Sequence, residues 1–412
     1  MSLQQTMLSI ARAAIQANLP DEAVRRAMSE LQSHPCAGQT ILVSVGKAGW
    51  EMARAASNAL DGKFDAGFLI TKYGHSRGPL PGFSIFEAGH PVLDQNAIDA
   101  TRQVEQAVMG LCPDDRVVLL LSGGGSALLE DPLVPLSELS ALTCDLLACG
   151  ADIIEINTIR KRLSVVKGGR FGALCAPAQV WSVILSDVVG DRPDMIASGP
   201  AFPDASTADD ALAIAQKYSL KLSPQIRHLL SAEPVKALPN IHTLVTGGVV
   251  QLCTAAKAAC EQAGYPAEIL TTSMTCEARE AGNLLGSIAS YQASQGVRRA
   301  LIAGGETVVH LSGTGLGGRN QELALAAAGS MRGVSGVALL SIGSDGTDGP
   351  TDAAGGFVDG ETLCRLQAAG INSDAILENH DSYHALQACG GLIKTGATGT
   401  NVNDLVIIVT EG

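Results

Sequence analysis

The chain is short of aromatic residues, 3% of 412, and of charge, 17%. Its 46 glycines beside so few rings describe the tight turns and small-residue packing of an α/β protein, and 46% hydrophobic residues are ample for buried cores. Basic residues are outnumbered 28 to 41, and the net charge of −13 argues against the broad basic face that nucleic acid or an anionic membrane demands. No apolar run reaches the roughly 18 residues of a membrane span, and the N-terminus lacks the charged region and short apolar core of a secretion signal. The ten cysteines form no CxxC pair and no zinc-type Cys/His spacing. A disulfide framework or zinc knuckle is therefore not expected, and a cytoplasmic enzyme is. The pattern G-x-x-x-x-G-K-[ST] is absent too, which removes a Walker A loop.

What the chain does contain is a repeated alternation of apolar runs with helical patterns. Apolar positions at Met7, Ile10, Ala13 and Ala14 predict one helix, and a second starts at Glu22 after the break at Leu19-Pro20-Asp21. Continuous apolar runs predict buried strands at 40–45, 116–122 and 180–186, with shorter ones at Phe68–Thr71 and Ser84–Glu87. Helices are expected over Trp50–Leu60, Asn96–Met109 and Ser137–Leu147. Pro234 and Pro239 interrupt helical periodicity before a strand at His242–Thr246, which sets an expected boundary between domains 1–235 and 236–412. Strands at Leu301–Gly304, Val337–Ile342 and Leu405–Thr410 follow. The fold class is α/β with two domains: an N-terminal, mostly parallel Rossmann-like sheet with loops gathered at the carboxyl ends of its strands, and a second α/β domain.

The most informative stretch is Leu301–Ala328. It predicts a strand ending at Gly304-Gly305-Glu306, a second extended segment over Thr307–Leu311, a glycine-dense loop and a helix from about Asn320. Glycines 313, 315, 317 and 318 permit left-handed backbone and close approach to a ligand. Arg319 adds a planar donor fork beside a helix start, and together these describe an anion site. Gly313, Gly315 and Gly318 also satisfy G-x-G-x-x-G, but that fingerprint needs a parallel βαβ context, and two broken extended segments do not supply it.

Four other constellations carry chemistry. Lys47, in Ser44-Val-Gly46-Lys47-Ala48-Gly49, places an ammonium at a strand-to-helix turn, where it can bridge phosphate oxygens. Ser122, Gly123, Gly124, Gly125 and Ser126 offer amides and hydroxyls as an oxyanion cradle. Neither serine lies in a G-x-S-x-G elbow, and no histidine is placed by sequence as its base. Arg160, Lys161, Arg162, Lys167 and Arg170 cannot share one helix face, so some are expected in solvent, with Lys161 and Lys167 candidates for an anionic substrate. Asp187, Asp191, Glu306, Asp345, Asp348 and Asp352 stand among glycines past predicted strand ends, as a Mg²⁺ ion with several waters or a hydroxyl proton requires. The polar turn Thr398–Asp404, with Asn401 and Asn403, can orient a carboxylate or ribose.

Taken in order, Gly46-Lys47-Ala48, SGGGSALL, NTIRKRLSVVKGGR, SDVVGD, Ser198-Gly-Pro200, GGETVV, GLGGRNQE, GSDGTDGPTDAAG and TGTNVND closely resemble the glycerate 2-kinase family whose C-terminal half is the MOFRL domain. The resemblance covers nearly the whole chain. It implies ATP- and Mg²⁺-dependent phosphorylation of the 2-hydroxyl of D-glycerate in a cleft between the two domains, with small-molecule substrate only and a homodimer left open. It also implies Lys47 and Arg319 as basic catalytic residues, Asp187 or Asp191 as the catalytic aspartate and Glu306, Asp345 and Asn401 as polar site residues. With the resemblance in hand, Asp345 and Asp348 are expected as metal ligands, and Ser122, Gly123, Gly124, Gly125, Ser126, Lys161, Glu306, Gly317 and Asn401 are expected to bind substrate or phosphate. Some relatives carry the label hydroxypyruvate reductase, so an NAD(P)-dependent reductase is the alternative.

Overall fold

The computed structural model describes residues 2–186, 188, 190 and 192–412. The chain forms two compact units, one holding Ala23–Ser186 and Arg192–Thr246, the other residues 2–22 and Gly247–Gly412. The division falls about ten residues later than the prolines suggest. The strand Ile241–Gly247 completes the first sheet, and the prolines lie in the connection that leads into it.

The first unit is built on six strands: β1 (Thr40–Val45), β2 (Ala66–Lys72), β3 (Phe83–Ala88), β4 (Arg116–Leu121), β5 (Gln179–Leu185) and β6 (Ile241–Gly247). Their spatial order is β3-β2-β1-β4-β5-β6, and β1 to β5 pair in parallel. TILVSV and RVVLLL are buried along their whole length, the continuous apolar pattern of a strand covered on both faces. The chain steps from β1 outward to β3 and then returns to place β4 on the other side of β1. Strand order therefore reverses between β1 and β4, and a crevice opens there at the carboxyl ends.

The basic segment departs from expectation, because none of its five cations is exposed. Three of them, Arg160, Lys161 and Arg162, end the helix Ile153–Arg162. Lys167 is fully buried, donating to the Leu129 carbonyl at 2.8 Å and standing 3.2 Å from Glu130. Burial lowers its pKa to about 8 against the pull of Glu130. Arg162 meets Asp204 at 3.8 Å and the Thr158 carbonyl at 2.8 Å, and Arg170 the Ser164 carbonyl at 2.7 Å. Carboxylates brought in from distant segments, with carbonyls both near and far in the chain, replace the water that the helical spacing predicts.

Glu105, on the helix Gln95–Val108, lies at the edge of this buried charge. Burial first, and then Asp131, raise its carboxyl to about 7. A raised carboxylate pKa means that stability is lost as pH rises from about 4.5 through about 7, because the folded state retains the proton longer than the unfolded one. Glu105→Gln is therefore expected to raise the thermal unfolding midpoint at pH 8 and to leave it unchanged at pH 4.

The second unit has strands β7 (Ala267–Met274), β8 (Arg298–Gly305), β9 (Val337–Gly343), β10 (Gly355–Asp359), β11 (Leu392–Ile393) and β12 (Asp404–Glu411), in the order β11-β10-β9-β12-β8-β7. This sheet is mixed: β7 runs parallel to β8, while β12 is antiparallel to both β8 and β9. The expected second extended segment at 307–311 contributes a single bridge, Val308 to Glu277. The helices Ala278–Ser294 and Arg319–Met331 pack closely, since a Cβ at Gly286 would stand 2.9 Å from the Ala327 Cα, and one at Gly282 2.8 Å from the Ala326 Cβ.

Candidate functional site

In the first unit the crevice at the strand reversal is lined by the lysine turn after β1 and the glycine turn after β4. Gly46 holds φ 125°, and a Cβ there would overlap Ser122. The two turns are tied directly: the Lys47 amide donates to the Gly123 carbonyl at 2.8 Å, and the Ala48 amide to Ser122 Oγ at 3.1 Å. Ser122 is thus buried and joins the turns, while the Lys47 side chain is exposed. Gly124, at φ 92°, faces His90, whose Cδ2 and Nε2 would lie 3.0 and 3.1 Å from a Cβ. Burial first, and then Lys47, Lys72 and His75, push the His90 imidazole below its ordinary pKa, which keeps it neutral beside the lysine. Gly125 admits Ala197, and Ser126 Oγ meets Ser198 Oγ at 3.1 Å. Ser198 in turn donates to Asn157 at 2.9 Å, and it and Ala197 hold left-handed φ angles of 60° and 51°. Such strain at non-glycine residues needs surrounding structure to hold it.

The cation that reaches the glycine turn is Arg160, donating to the Ser126 carbonyl at 3.2 Å. Lys161 instead faces carboxylates, 3.7 Å from Asp204 and 4.0 Å from Asp194, on the wall of a separate 650 Å³ cavity. Adjacent helix positions point about 100° apart, so the two residues cannot serve one pocket. Asp187 and Asp191 lie outside the described residues.

In the second unit, Arg319 stands at the first position of its helix. It donates two hydrogen bonds to Asp404, at 2.6 and 3.0 Å, and lies 3.2 Å from Glu306. Asn403 donates to Glu306 at 3.2 Å. Burial opposes the guanidinium charge, but Asp404 and Glu306 outweigh it and hold its pKa above the ordinary value. For Asp404 the balance is reversed: burial outweighs Arg319 and holds its carboxyl up to about 6. The fork remains charged and fixed in orientation.

Two readings of this region are corrected. Glycines 313, 315, 317 and 318 do not adopt left-handed backbone; a Cβ on them would strike Asn379, Asp381, Ser382 and Asp348, so their smallness serves packing against the chain itself. The amides of Thr314, Gly315 and Leu316 are held by Asn379 and Asp381. Asp348, expected as a metal ligand, is 3% exposed and takes the Asn320 and Gln321 amides at 3.1 and 2.9 Å, with both side-chain amides beside them. It caps the 319–331 helix, and that use of both oxygens does not fit a metal. Asp345 fits better: it is half-buried after β9 and uses Oδ1 for the Thr347 amide at 2.9 Å. Among the described residues no group of three metal-type ligands forms. Asn401 is exposed, and the neighbouring Asn403 is the residue that joins Glu306. A cavity of about 620 Å³ lies here, lined by Val308, Val309, Leu311 and Pro350 together with Gly317, Arg319 and Glu306.

A parallel sheet with cationic and glycine turns at its strand reversal, together with a second unit that presents a clamped arginine, defines an α/β enzyme for anionic substrates. The sequence is more specific. Residues 6–231 match the model of a domain of unknown function, DUF4147, and residues 299–404 match the MOFRL family. The chain is 50% identical over 412 residues to a D-glycerate 2-kinase of Thermotoga maritima, covering 98% of each chain. It is 40% identical to an Agrobacterium vitis protein named as a hydroxypyruvate reductase, covering 99% of this chain and 94% of that one. A crystal structure of Thermotoga maritima glycerate kinase superposes with a TM-score of 0.95 at 50% identity, covering 99% of both chains. The chain belongs to the glycerate 2-kinase family.

Proposed function

We propose that the chain transfers the terminal phosphoryl group of ATP to the 2-hydroxyl of D-glycerate, giving 2-phosphoglycerate and ADP. The observation that carries this is the full-length 50% identity to a D-glycerate 2-kinase, which spans both the lysine turn and the clamped arginine. Phosphoryl transfer asks a protein mainly for position and charge neutralisation. In this reading the exposed Lys47 ammonium binds phosphoryl oxygens. Neutral His90 adds no second charge to that turn. Arg319, oriented by Asp404, places its fork on an anionic group of a substrate. Asp345 would hold Mg²⁺, which when bound neutralises phosphate oxygens. Asp187 or Asp191 accepts the proton of the glycerate hydroxyl. A cytoplasmic location suits a reaction that consumes ATP.

The reductase reading is weaker. The G-x-G-x-x-G match at 313–318 follows a strand flanked by antiparallel β12, and its glycines pack on residues 379–382 and on Asp348. Two reactions run side by side decide the matter. Glycerate with Mg-ATP is expected to release ADP and to yield 2-phosphoglycerate by phosphorus NMR. Oxidation of NADH by hydroxypyruvate, without ATP and without phosphorylated product, would reverse the assignment.

A further inference from the structure

Beside the clamped arginine lies a second set of reactive groups that phosphoryl transfer does not use. Ser312 Oγ is 3.1 Å from His380 Nε2, and His380 Nδ1 is 2.9 Å from Glu322 Oε2 and 3.1 Å from Oε1. The histidine and glutamate are 8% and 2% exposed, whereas Ser312 is open to solvent. A carboxylate only accepts, so Nδ1 carries the imidazole proton and the Nε2 lone pair faces the serine hydroxyl. This is the order nucleophile, base and orienting carboxylate, recognised by geometry and not by chain order.

Three further observations point to use of this hydroxyl. His380 holds a left-handed φ of 57°, a strained conformation for a non-glycine residue, at the position that brings its ring between Glu322 and Ser312. The residue after Ser312 is Gly313, whose amide has no protein acceptor among the described residues and adjoins the nucleophile as an oxyanion donor does. Ser312, His380 and Glu322 together line a cavity of about 390 Å³, and His380 and Glu322 also line the 620 Å³ cavity, whose walls at Val308, Val309, Leu311 and Pro350 suit a short apolar acyl group.

We propose that Ser312, His380 and Glu322 form a hydrolytic triad for short carboxylic esters. Ser312 Oγ bonds to the ester carbonyl carbon as its proton passes to His380 Nε2. The bond from that carbon to the alcohol oxygen breaks, and the proton leaves with the alcohol. Water then attacks the acyl-serine, giving one proton to His380 and returning it to Ser312 as the free acid departs. Nothing is oxidised or reduced.

The test uses the full-length protein with a biotinylated fluorophosphonate, whose fluoride an activated serine displaces, and with p-nitrophenyl acetate. The expected result is a single adduct mapped to Ser312 by mass spectrometry, absent in Ser312→Ala. His380→Gln is expected to slow labelling by at least about 100-fold, the usual contribution of a general base. Glu322→Gln is expected to give an intermediate rate. Ser312 is exposed, so its alanine variant should fold, and a circular dichroism melt matching the wild type checks this. An unlabelled wild-type protein, an adduct elsewhere in the chain, or ester hydrolysis that persists unchanged in Ser312→Ala would overturn the proposal.

Discussion

Lys47→Ala is expected to lower kcat for glycerate phosphorylation by roughly 100- to 1,000-fold, the range for removing one preorganised charge from a developing anion. The melting temperature is expected to stay within a degree or two of the wild type. The structure separates the two effects because the backbone and side chain of this residue have different duties. The Lys47 amide holds the Gly123 carbonyl whatever the side chain, while the ammonium is exposed. Lys47→Arg should recover only part of the loss, since a guanidinium is broader than a point-like ammonium. Steady-state kinetics with glycerate and Mg-ATP check this, and near-normal turnover in the alanine variant would remove Lys47 from the reaction.

Arg319→Ala is expected to have a double effect. Turnover falls by about as much as for Lys47. Stability falls too, by about 3 kcal/mol, the low end for breaking a buried pair, because the guanidinium is one-third exposed while Asp404 is left buried without its cation. Adding Asp404→Asn separates the two. Burial already holds Asp404 up to about 6 despite Arg319, so removing both charges is expected to return most of the lost stability and none of the turnover. A denaturant melt and a kinase assay on the single and double variants measure each part.

Much of the first unit could be read from the sequence because strands buried on both faces declare themselves as unbroken apolar runs, as ILVSV and RVVLLL do. Strands β7, β10 and β11 lack that signal. β7, AEILTTSM, is half-exposed along its length, β10 opens with two glycines, and β11 has two residues. Lys47, Arg319 and Glu306 stand out in the sequence because each lies close to the end of a strand or the start of a helix. Nothing in the sequence joins Asp404 to Arg319, because that pair closes across 85 residues of chain. Arg160 stands in the sequence among four other cations, and only the fold shows which carbonyls and carboxylates those cations face. Ser312 and His380 are 68 residues apart, so spacing could not join them. The glycine loop misled for a physical reason: composition shows that a Cβ is not tolerated, but not whether a ligand or the protein's own backbone stands in its place.

The paired glycines 282 and 286 set the distance between two helices, and one of those helices carries Arg319 at its first position. A methyl group at either site would have to wedge that rod outward. The guanidinium at its tip would then swing away from the buried carboxylate at 404. Variation at two inert-looking positions, remote from any reacting atom, should therefore damage the enzyme much as a lesion in the site itself would.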